Sequence, residues 1–283
     1  MSALILDGNK AAEALLESLK PLIKKLKPKL VIVQVGKEVA SVSYVKKKIE
    51  TCKNVGLDAE HLELPFETPI DKLFQTIEEL NRDKETTGFI VQLPLPPHFS
   101  ASTPLIFSAI DPRKDVDGFT AYNLGKMFLS REFETLPPAT PAGIIALLEY
   151  YKISIAGKNA VIVGRSNIVG KPLAMMLLNR DATVTVCHSK TSDIRHQTSD
   201  ADILISAVGI PKFVTKDMIK KGAVVIDVGM NRTSDGKLVG DVYFEEVKEI
   251  ASAITPVPGG VGPMTVASLI RNVVRAKEKQ QKS

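Results

Sequence analysis

Apolar positions along this chain fall into two alternating patterns. Stretches with an apolar residue every three or four positions alternate with short, uninterrupted aliphatic runs. The first pattern is that of a helix with one buried stripe, the second that of a strand covered on both faces. In order, they predict a helix from about Lys10 to Leu26, a strand over Leu30–Val35, a helix from about Ser41 to Val55 and a strand near Ala59–Leu64. A helix near Ile70–Leu80 and a strand over Gly88–Leu93 complete this series, which stops at Pro94, Pro96 and Pro97. Between Asp111 and Ala139 the periodicity fades, and Pro137-Pro138 end the irregular part. A second series opens with a helix at Thr140-Pro141 and continues through strands at Asn159–Val163, Thr183–Val186, Ile203–Ser206 and Val224–Asp227. Strands alternating with helices build parallel sheet with helices on its faces. The expected fold class is therefore α/β, in two domains over 1–139 and 140–263, with the last helix, 264–283, returning to the first.

Composition narrows the function by exclusion. The 283 residues are 44% apolar and 24% charged, as in a soluble globular protein. The net charge of +5 falls mostly on predicted helix faces, such as Lys20, Lys24, Lys25 and Lys27, where solvation explains it. Aromatic residues make up 5% and tryptophan is absent, so the aromatic-basic surface of a single-strand nucleic-acid binder is missing. No nucleic-acid partner is expected, although a mild positive field favours small anions. The chain opens without an apolar run of signal-peptide length. Cys52 and Cys187 lie in different predicted elements, which points to a reduced, cytoplasmic protein. His61, His98, His188 and His196 form no ligand-spaced cluster, so no metal is expected.

One stretch stands apart. Ala251–Ile270 runs twenty residues without an ionisable side chain, yet three prolines and three glycines would break any membrane-spanning helix there. Its centre, Thr255–Thr265, reads as a rigid loop leading into a helix, with Pro263 suited to the first helical turn. Such a loop is either a tight turn or a wall that grips a flat ligand through backbone groups.

A glycine turn follows the first strand of the second series, Gly164-Arg165-Ser166-Asn167-Ile168-Val169-Gly170. Turns of this kind bring backbone close to a pyrophosphate at a helix N-terminus. Here Ser166 replaces the second glycine of the usual G-x-G-x-x-G spacing and Gly170 comes one residue late, so an ordinary strand-to-helix turn is the alternative. The next strand ends Cys187-His188-Ser189-Lys190, without the carboxylate that holds an unphosphorylated ribose. Arg165 and Ser189 instead suit a 2′-phosphate, which favours NADP over NAD. The strand ends at Gly209 and Met230 would close the cofactor crevice.

In the first series, the helix over Ser41–Glu50 opens with capping-type serines. Its phase puts Val45, Ile49 and Cys52 on the buried stripe, with Tyr44 and Lys48 together on one shoulder. A desolvated lysine loses basicity and can move protons. A snorkelling lysine beside a surface tyrosine is the alternative. Gln92 lies at a strand end and can project into a crevice. Of Asp115 and Asp117, alternation aims only one at a ligand, and Asp117 beside Gly118 is the better candidate unless it caps a turn.

Taken in order, Tyr44-x-x-x-Lys48, Val91-Gln92-Leu93-Pro94-Leu95-Pro96, Lys114-Asp115-Val116-Asp117-Gly118, Pro138-Ala139-Thr140-Pro141, Gly164–Gly170 and Pro258–Thr265 resemble the bifunctional methylenetetrahydrofolate dehydrogenase/methenyltetrahydrofolate cyclohydrolase family. The resemblance spans nearly the whole chain. Ala139, where the family commonly has Cys, and the loosely matched Ala121-Tyr122-Asn123 depart from it. It implies an N-terminal α/β catalytic domain and a Rossmann-like NADP-binding domain with an interdomain cleft, usually in a homodimer. The implied substrates are tetrahydrofolate derivatives of one-carbon metabolism, including polyglutamylated forms. It also implies that Lys48 is the central catalytic residue, that Tyr44 stacks on the folate rings, that Gln92 sets the protonation of the lysine and that Asp117 bonds the pterin. Val91, Leu93, Pro258, Gly259, Gly260, Gly262, Pro263 and Thr265 are implied substrate contacts. Gly164, Arg165, Ser166, Ile168, Ser189, Gly209 and Met230 are implied cofactor contacts. The rival readings are a dehydrogenase or cyclohydrolase alone on the same fold, and a two-domain amino-acid dehydrogenase.

Overall fold

The aliphatic runs become parallel strands. The structure, a computed structural model, describes residues 3–233 and 235–282. In chain order these form β1 (Leu4–Ile5), α1 (Gly8–Leu26), β2 (Lys29–Val35), α2 (Val39–Asn54), β3 (Asp58–Leu64), α3 (Ile70–Arg82), β4 (Gly88–Val91), α4 (Thr103–Ser108), α5 (Ala121–Met127), α6 (Ala139–Tyr150) and β5 (Asn159–Val163). Then follow α7 (Gly170–Leu178), β6 (Thr183–Cys187), α8 (Ile194–Thr198), β7 (Ile203–Ser206), β8 (Val224–Asp227), β9 (Asn231–Arg232), β10 (Leu238–Val239), α9 (Phe244–Val247), β11 (Ala253–Ile254) and α10 (Val261–Gln280). Among the described residues no helix is long and apolar enough to cross a membrane.

The chain forms two compact units. Leu15–Ala139 and the segment from Leu269 onward make one; Thr140–Ser268 and the segment up to Ala14 make the other. The first is built on a parallel three-stranded sheet in the order β3-β2-β4. β2 is central and buried almost throughout, as its aliphatic run requires. Val31, Val33 and Val35 face a core shared with Phe89 and Val91 of β4, Leu73 and Ile77 of α3, and Phe99 and Ile106. Each large apolar side chain so buried contributes about 1.5–3 kcal/mol. Ile32 pairs with Ile90 on the other face, and alternation carries that face on to Gln92, just past the carboxyl end of β4.

The second unit holds a parallel six-stranded sheet in the order β1-β11-β8-β7-β5-β6. From β5 the chain moves outward to β6, then returns to place β7 on the opposite side of β5. Strand order therefore reverses at β5, the position where open α/β sheets receive ligands at their carboxyl ends. Val161, Val163, Cys187, Leu204, Val225 and Ile254 form its core. β1 and β11 are two residues each, paired Leu4 with Ala253 and Ile5 with Ile254. That pairing ties the segment through Ala14 to this unit, and no aliphatic period announces it.

Candidate active site

Lys48 owes its position to the phase of α2. Glu38, rather than a serine, caps this helix: its carboxylate accepts from the Ser41 N–H at 2.7 Å. Ser41 is consequently buried inside the first turn. Val45 and Cys52 are buried as the phase requires, but Ile49 is only half-buried and Lys48 is 8% exposed. The buried stripe thus runs through the lysine rather than beside it. Tyr44, one turn earlier, is half-buried, whereas Lys46 and Lys47 are exposed.

The Lys48 amine donates to Gln92 Oε1 at 2.9 Å. Gln92 is itself buried and is oriented by donating its own amide N–H to the Leu93 carbonyl. Burial pushes the Lys48 amine below its ordinary value, while the negative charge of Asp117 opposes this shift. Burial in turn pushes the Asp117 carboxyl up to about 6, with Lys48 pulling it down and Asp115 pushing it up. Cys52, one turn beyond Lys48, has its thiol pushed up to about 12 by burial, which leaves it protonated and inert.

The two aspartates divide their work. Asp115 is buried, and its carboxylate accepts from the N–H groups of Gly118 at 2.9 Å, Phe119 at 3.1 Å and Thr120 at 2.8 Å, and from Asn123 Nδ2 at 2.9 Å. It is consumed in shaping the turn. The carboxylate of Asp117 has no hydrogen-bond partner among the described residues, so of the two it is the one not spent on the turn. Gly118 has φ +75°, and a Cβ there would lie 2.6 Å from the Leu136 carbonyl oxygen. Asn272 of α10 closes the same turn by donating to the carbonyls of Val116 at 2.9 Å and Pro137 at 2.8 Å. Asp117 is therefore presented by a turn locked from three sides.

The six-stranded unit gathers the glycine turn at the carboxyl end of β5. Gly164 has φ +127°, and a Cβ would sit 2.3 Å from the Ala207 carbonyl oxygen; one at Gly170 would sit 2.1 Å from the Gly164 carbonyl oxygen. Only glycine fits either place, and the backbone is left bare for a ligand's close approach. Ser166 Oγ accepts from the N–H groups of Val169 at 3.2 Å and Gly170 at 3.4 Å, so the residue in place of the second glycine braces the start of α7. Arg165 and Ser189 are exposed on the loops leaving the adjacent strands β5 and β6, and neither side chain has a hydrogen-bond partner among the described residues. No carboxylate follows β6 before Asp193. Bare backbone at a helix start, with an unspent guanidinium and hydroxyl beside it, fits a 2′-phosphorylated dinucleotide.

The uncharged loop also belongs to this unit. Its Gly259 has φ +105° and accepts from the Gly8 N–H at 2.8 Å, and a Cβ on Gly8 would lie 1.7 Å from the Gly260 carbonyl oxygen. Thr265 Oγ1 donates to Val261 O at 3.2 Å and lies 3.1 Å from Thr140 Oγ1. A Cβ on Gly262 would lie 3.8 Å from the sulfur of Met230, which is 40% exposed. Ile168 is half-buried.

Two buried acids make ties that the sequence does not announce, Asp227 at a predicted strand end and Asp241, which no pattern singles out. Asp227 ends β8 and accepts from the N–H groups of Gly229, Asp241 and Val242, each at 2.9 Å. Burial pushes its carboxyl up to about 6 against those three donors. Asp241 accepts from Val208, Gly209 and Ile210 and from the side chain of Asn231. No spacing marks either residue, because their partners come from separate loops. Among the described residues no group of three His, Cys, Asp or Glu is placed to hold a metal ion.

Comparison with known proteins gives consistent findings. A profile described as tetrahydrofolate dehydrogenase/cyclohydrolase, catalytic domain, matches residues 6–117, and one described as the NAD(P)-binding domain of the same enzymes matches residues 138–281. The chain is 50% identical over 279 residues to the bifunctional protein FolD of Exiguobacterium sibiricum, covering 97% of this chain and 99% of that one. The bifunctional FolD methylenetetrahydrofolate dehydrogenase/cyclohydrolase of Campylobacter jejuni matches with a TM-score of 0.93 at 42% identity, over 99% of this chain and 100% of that one. The N5,N10-methylenetetrahydrofolate dehydrogenase-cyclohydrolase of Trypanosoma brucei, complexed with NADP cofactor and inhibitor, matches with a TM-score of 0.94 at 34% identity over the whole of both chains.

Proposed function

The chain belongs to the tetrahydrofolate dehydrogenase/cyclohydrolase family, and from that membership we propose that it oxidises 5,10-methylenetetrahydrofolate with NADP+ and hydrolyses the resulting 5,10-methenyltetrahydrofolate to 10-formyltetrahydrofolate. The observation that carries this reading is the buried Lys48 amine, bonded to Gln92 and facing the charge of Asp117. Folate chemistry is assigned to 1–139 with the last helix, and cofactor binding to 140–263. Arg165 and Ser189 hold the 2′-phosphate, Gly164 and Ser166 meet the pyrophosphate, and Ile168, Gly209 and Met230 complete the cofactor contacts. Bound NADP+ supplies the hydride acceptor for the oxidation.

The hydrolysis is within reach of the chain's own groups. Water adds to the methenyl carbon, the bond from that carbon to N5 breaks, and the formyl group stays on N10. Of the two protons of the water, one ends on N5 and the other leaves through Lys48. The methenyl group is cationic, so a charged lysine beside it would oppose its formation. Burial favours the neutral amine, which is also the form able to accept a proton. Gln92 fixes the amine by accepting one of its N–H groups, Tyr44 stacks on the folate rings, and Asp117 accepts from the pterin. Val91, Leu93 and the Pro258–Thr265 loop, through Gly259, Gly260, Gly262 and Pro263, add shape contacts. The reading extends to a cytoplasmic homodimer that takes polyglutamylated folates; two free, buried cysteines support a reducing compartment.

The test is to incubate the protein with methylenetetrahydrofolate and either NADP+ or NAD+ while following methenyl absorbance. A rise and enzyme-dependent decay with NADP+ is expected. A rise without that decay leaves a dehydrogenase alone, and no change with either cofactor overturns the reading.

A further inference from the structure

Asp241 is fully buried, and no cation pairs with it among the described residues. Its charge is met instead by converging donors. Oδ2 accepts from the N–H of Val208 at 2.7 Å and of Gly209 at 3.2 Å, and from Ser206 Oγ at 3.3 Å. Oδ1 accepts from the N–H of Ile210 at 3.1 Å and from Asn231 Nδ2 at 3.0 Å. Three successive backbone N–H groups around one carboxylate form the kind of concavity that elsewhere takes an external anion. Here the chain fills it from within, and Gly209, with φ +68°, lies in its curve.

We infer that Asp241 is a positioning residue for the nicotinamide cofactor, because its one carboxylate fixes both loops that leave β7 and β8. The inference rests on the reading of this unit as the NADP-binding one. The loop after β7 presses on the glycine turn, since a Cβ on Gly164 would lie 2.3 Å from the Ala207 carbonyl oxygen. The loop after β8 is tied through Asn231, and a Cβ on Gly229 would lie 2.1 Å from Asp241 Oδ1. Asp227 in turn holds Asp241, accepting from its N–H and from that of Val242, with Gly240 too close for any side chain. Among the described residues Asp241 has no hydrogen bond to the glycine turn itself, so its effect on the cofactor runs through Gly209 and Met230.

The test is Asp241→Asn, which keeps the shape but turns an NH2 toward converging N–H donors. The KM for NADP+ should rise about tenfold, as expected for losing hydrogen bonds to a charged acceptor. Hydrolysis of methenyltetrahydrofolate measured without cofactor is the readout that separates positioning from loss of fold, and it should change far less. Asn231→Ala removes a single donor and should raise the same KM about threefold, which keeps the inference testable should Asp241→Asn not fold. An unchanged KM for NADP+ in the folded variant overturns the inference, as does an equal fall in both activities. A wild-type protein inactive with NADP+ defeats the functional reading instead.

Discussion

At Lys48, ionisable side chains are taken out of water and set against one another; at Gly164, side chains are removed so that backbone can come close. In the first region Lys48 is bonded to Gln92 and interacts with the charge of Asp117, and burial shifts the protonation of the lysine and the aspartate. In the second, two glycines sit where any Cβ would strike a carbonyl, and the side chains that remain, Arg165 and Ser189, are exposed. A site for proton transfer tolerates a stability penalty in exchange for a shifted pKa. A site for a polyanion needs donors and room. The two regions should therefore respond differently to substitution and to pH.

The largest expected effect is on the lysine. Lys48→Met keeps the length and burial but removes the proton acceptor, and methenyl hydrolysis should fall by about 10²–10⁴ while folate binding, measured by fluorescence titration, is largely retained. Near-normal turnover would break the distinction between the two regions. Gly170→Ala tests the other side. Its Cβ, 2.1 Å from the Gly164 carbonyl oxygen, forces the turn open, and the KM for NADP+ should rise about tenfold, about 1.4 kcal/mol of cofactor binding. Methenyl hydrolysis assayed without cofactor should be nearly unaffected.

How much of this was legible in the sequence follows from locality. The aliphatic runs of β2, β4, β5, β7 and β8 gave their strands away, because a strand buried on both faces has to be apolar throughout. The helical phase found Lys48 next to the buried stripe, but only the three-dimensional packing moved the lysine into it and left Ile49 half-out. Alternation separated Asp115 from Asp117; that Asp115 is spent on four donors needed the folded turn. The two-residue strands β1 and β11 carry too few positions for any period to show. The ties made by Asp227 and Asp241 were invisible for a related reason: their donors come from different loops, and no spacing encodes such ties.

A smaller effect sharpens the electrostatic side of the comparison. In the proposed mechanism hydrolysis requires neutral Lys48, so its rate should rise with pH through the lysine's pKa. Gln92→Glu places a negative charge at the amine, raises that pKa and should move the limb to higher pH by about one unit. Asp117→Asn removes a charge that now raises it, and should move the limb the other way. Shifts in the same direction would contradict the assignment, as would a limb that does not move.

The smallest effect is on stability. The Asp117 carboxyl lies at about 6 in the folded protein against an ordinary 3.8, so the folded state holds this proton more tightly than the unfolded chain. Stability from this group is present below about pH 4 and is lost as pH rises through the folded value. Asp117→Asn should therefore stabilise the protein at pH 8 by about 1–3 kcal/mol, a melting-temperature gain of a few degrees, with the gain vanishing toward pH 4. No counterpart is expected for Arg165→Ala, an exposed residue whose loss should leave the melting temperature almost unchanged.

If Lys48 works as a buried amine that is uncharged when water attacks, titrating its ¹³Cε resonance, assigned by difference against Lys48→Met, shows this directly. A midpoint well below the ordinary lysine value of 10.5 is the predicted result. A midpoint at or above that value would mean that the amine stays charged, and would contradict its role as the proton acceptor.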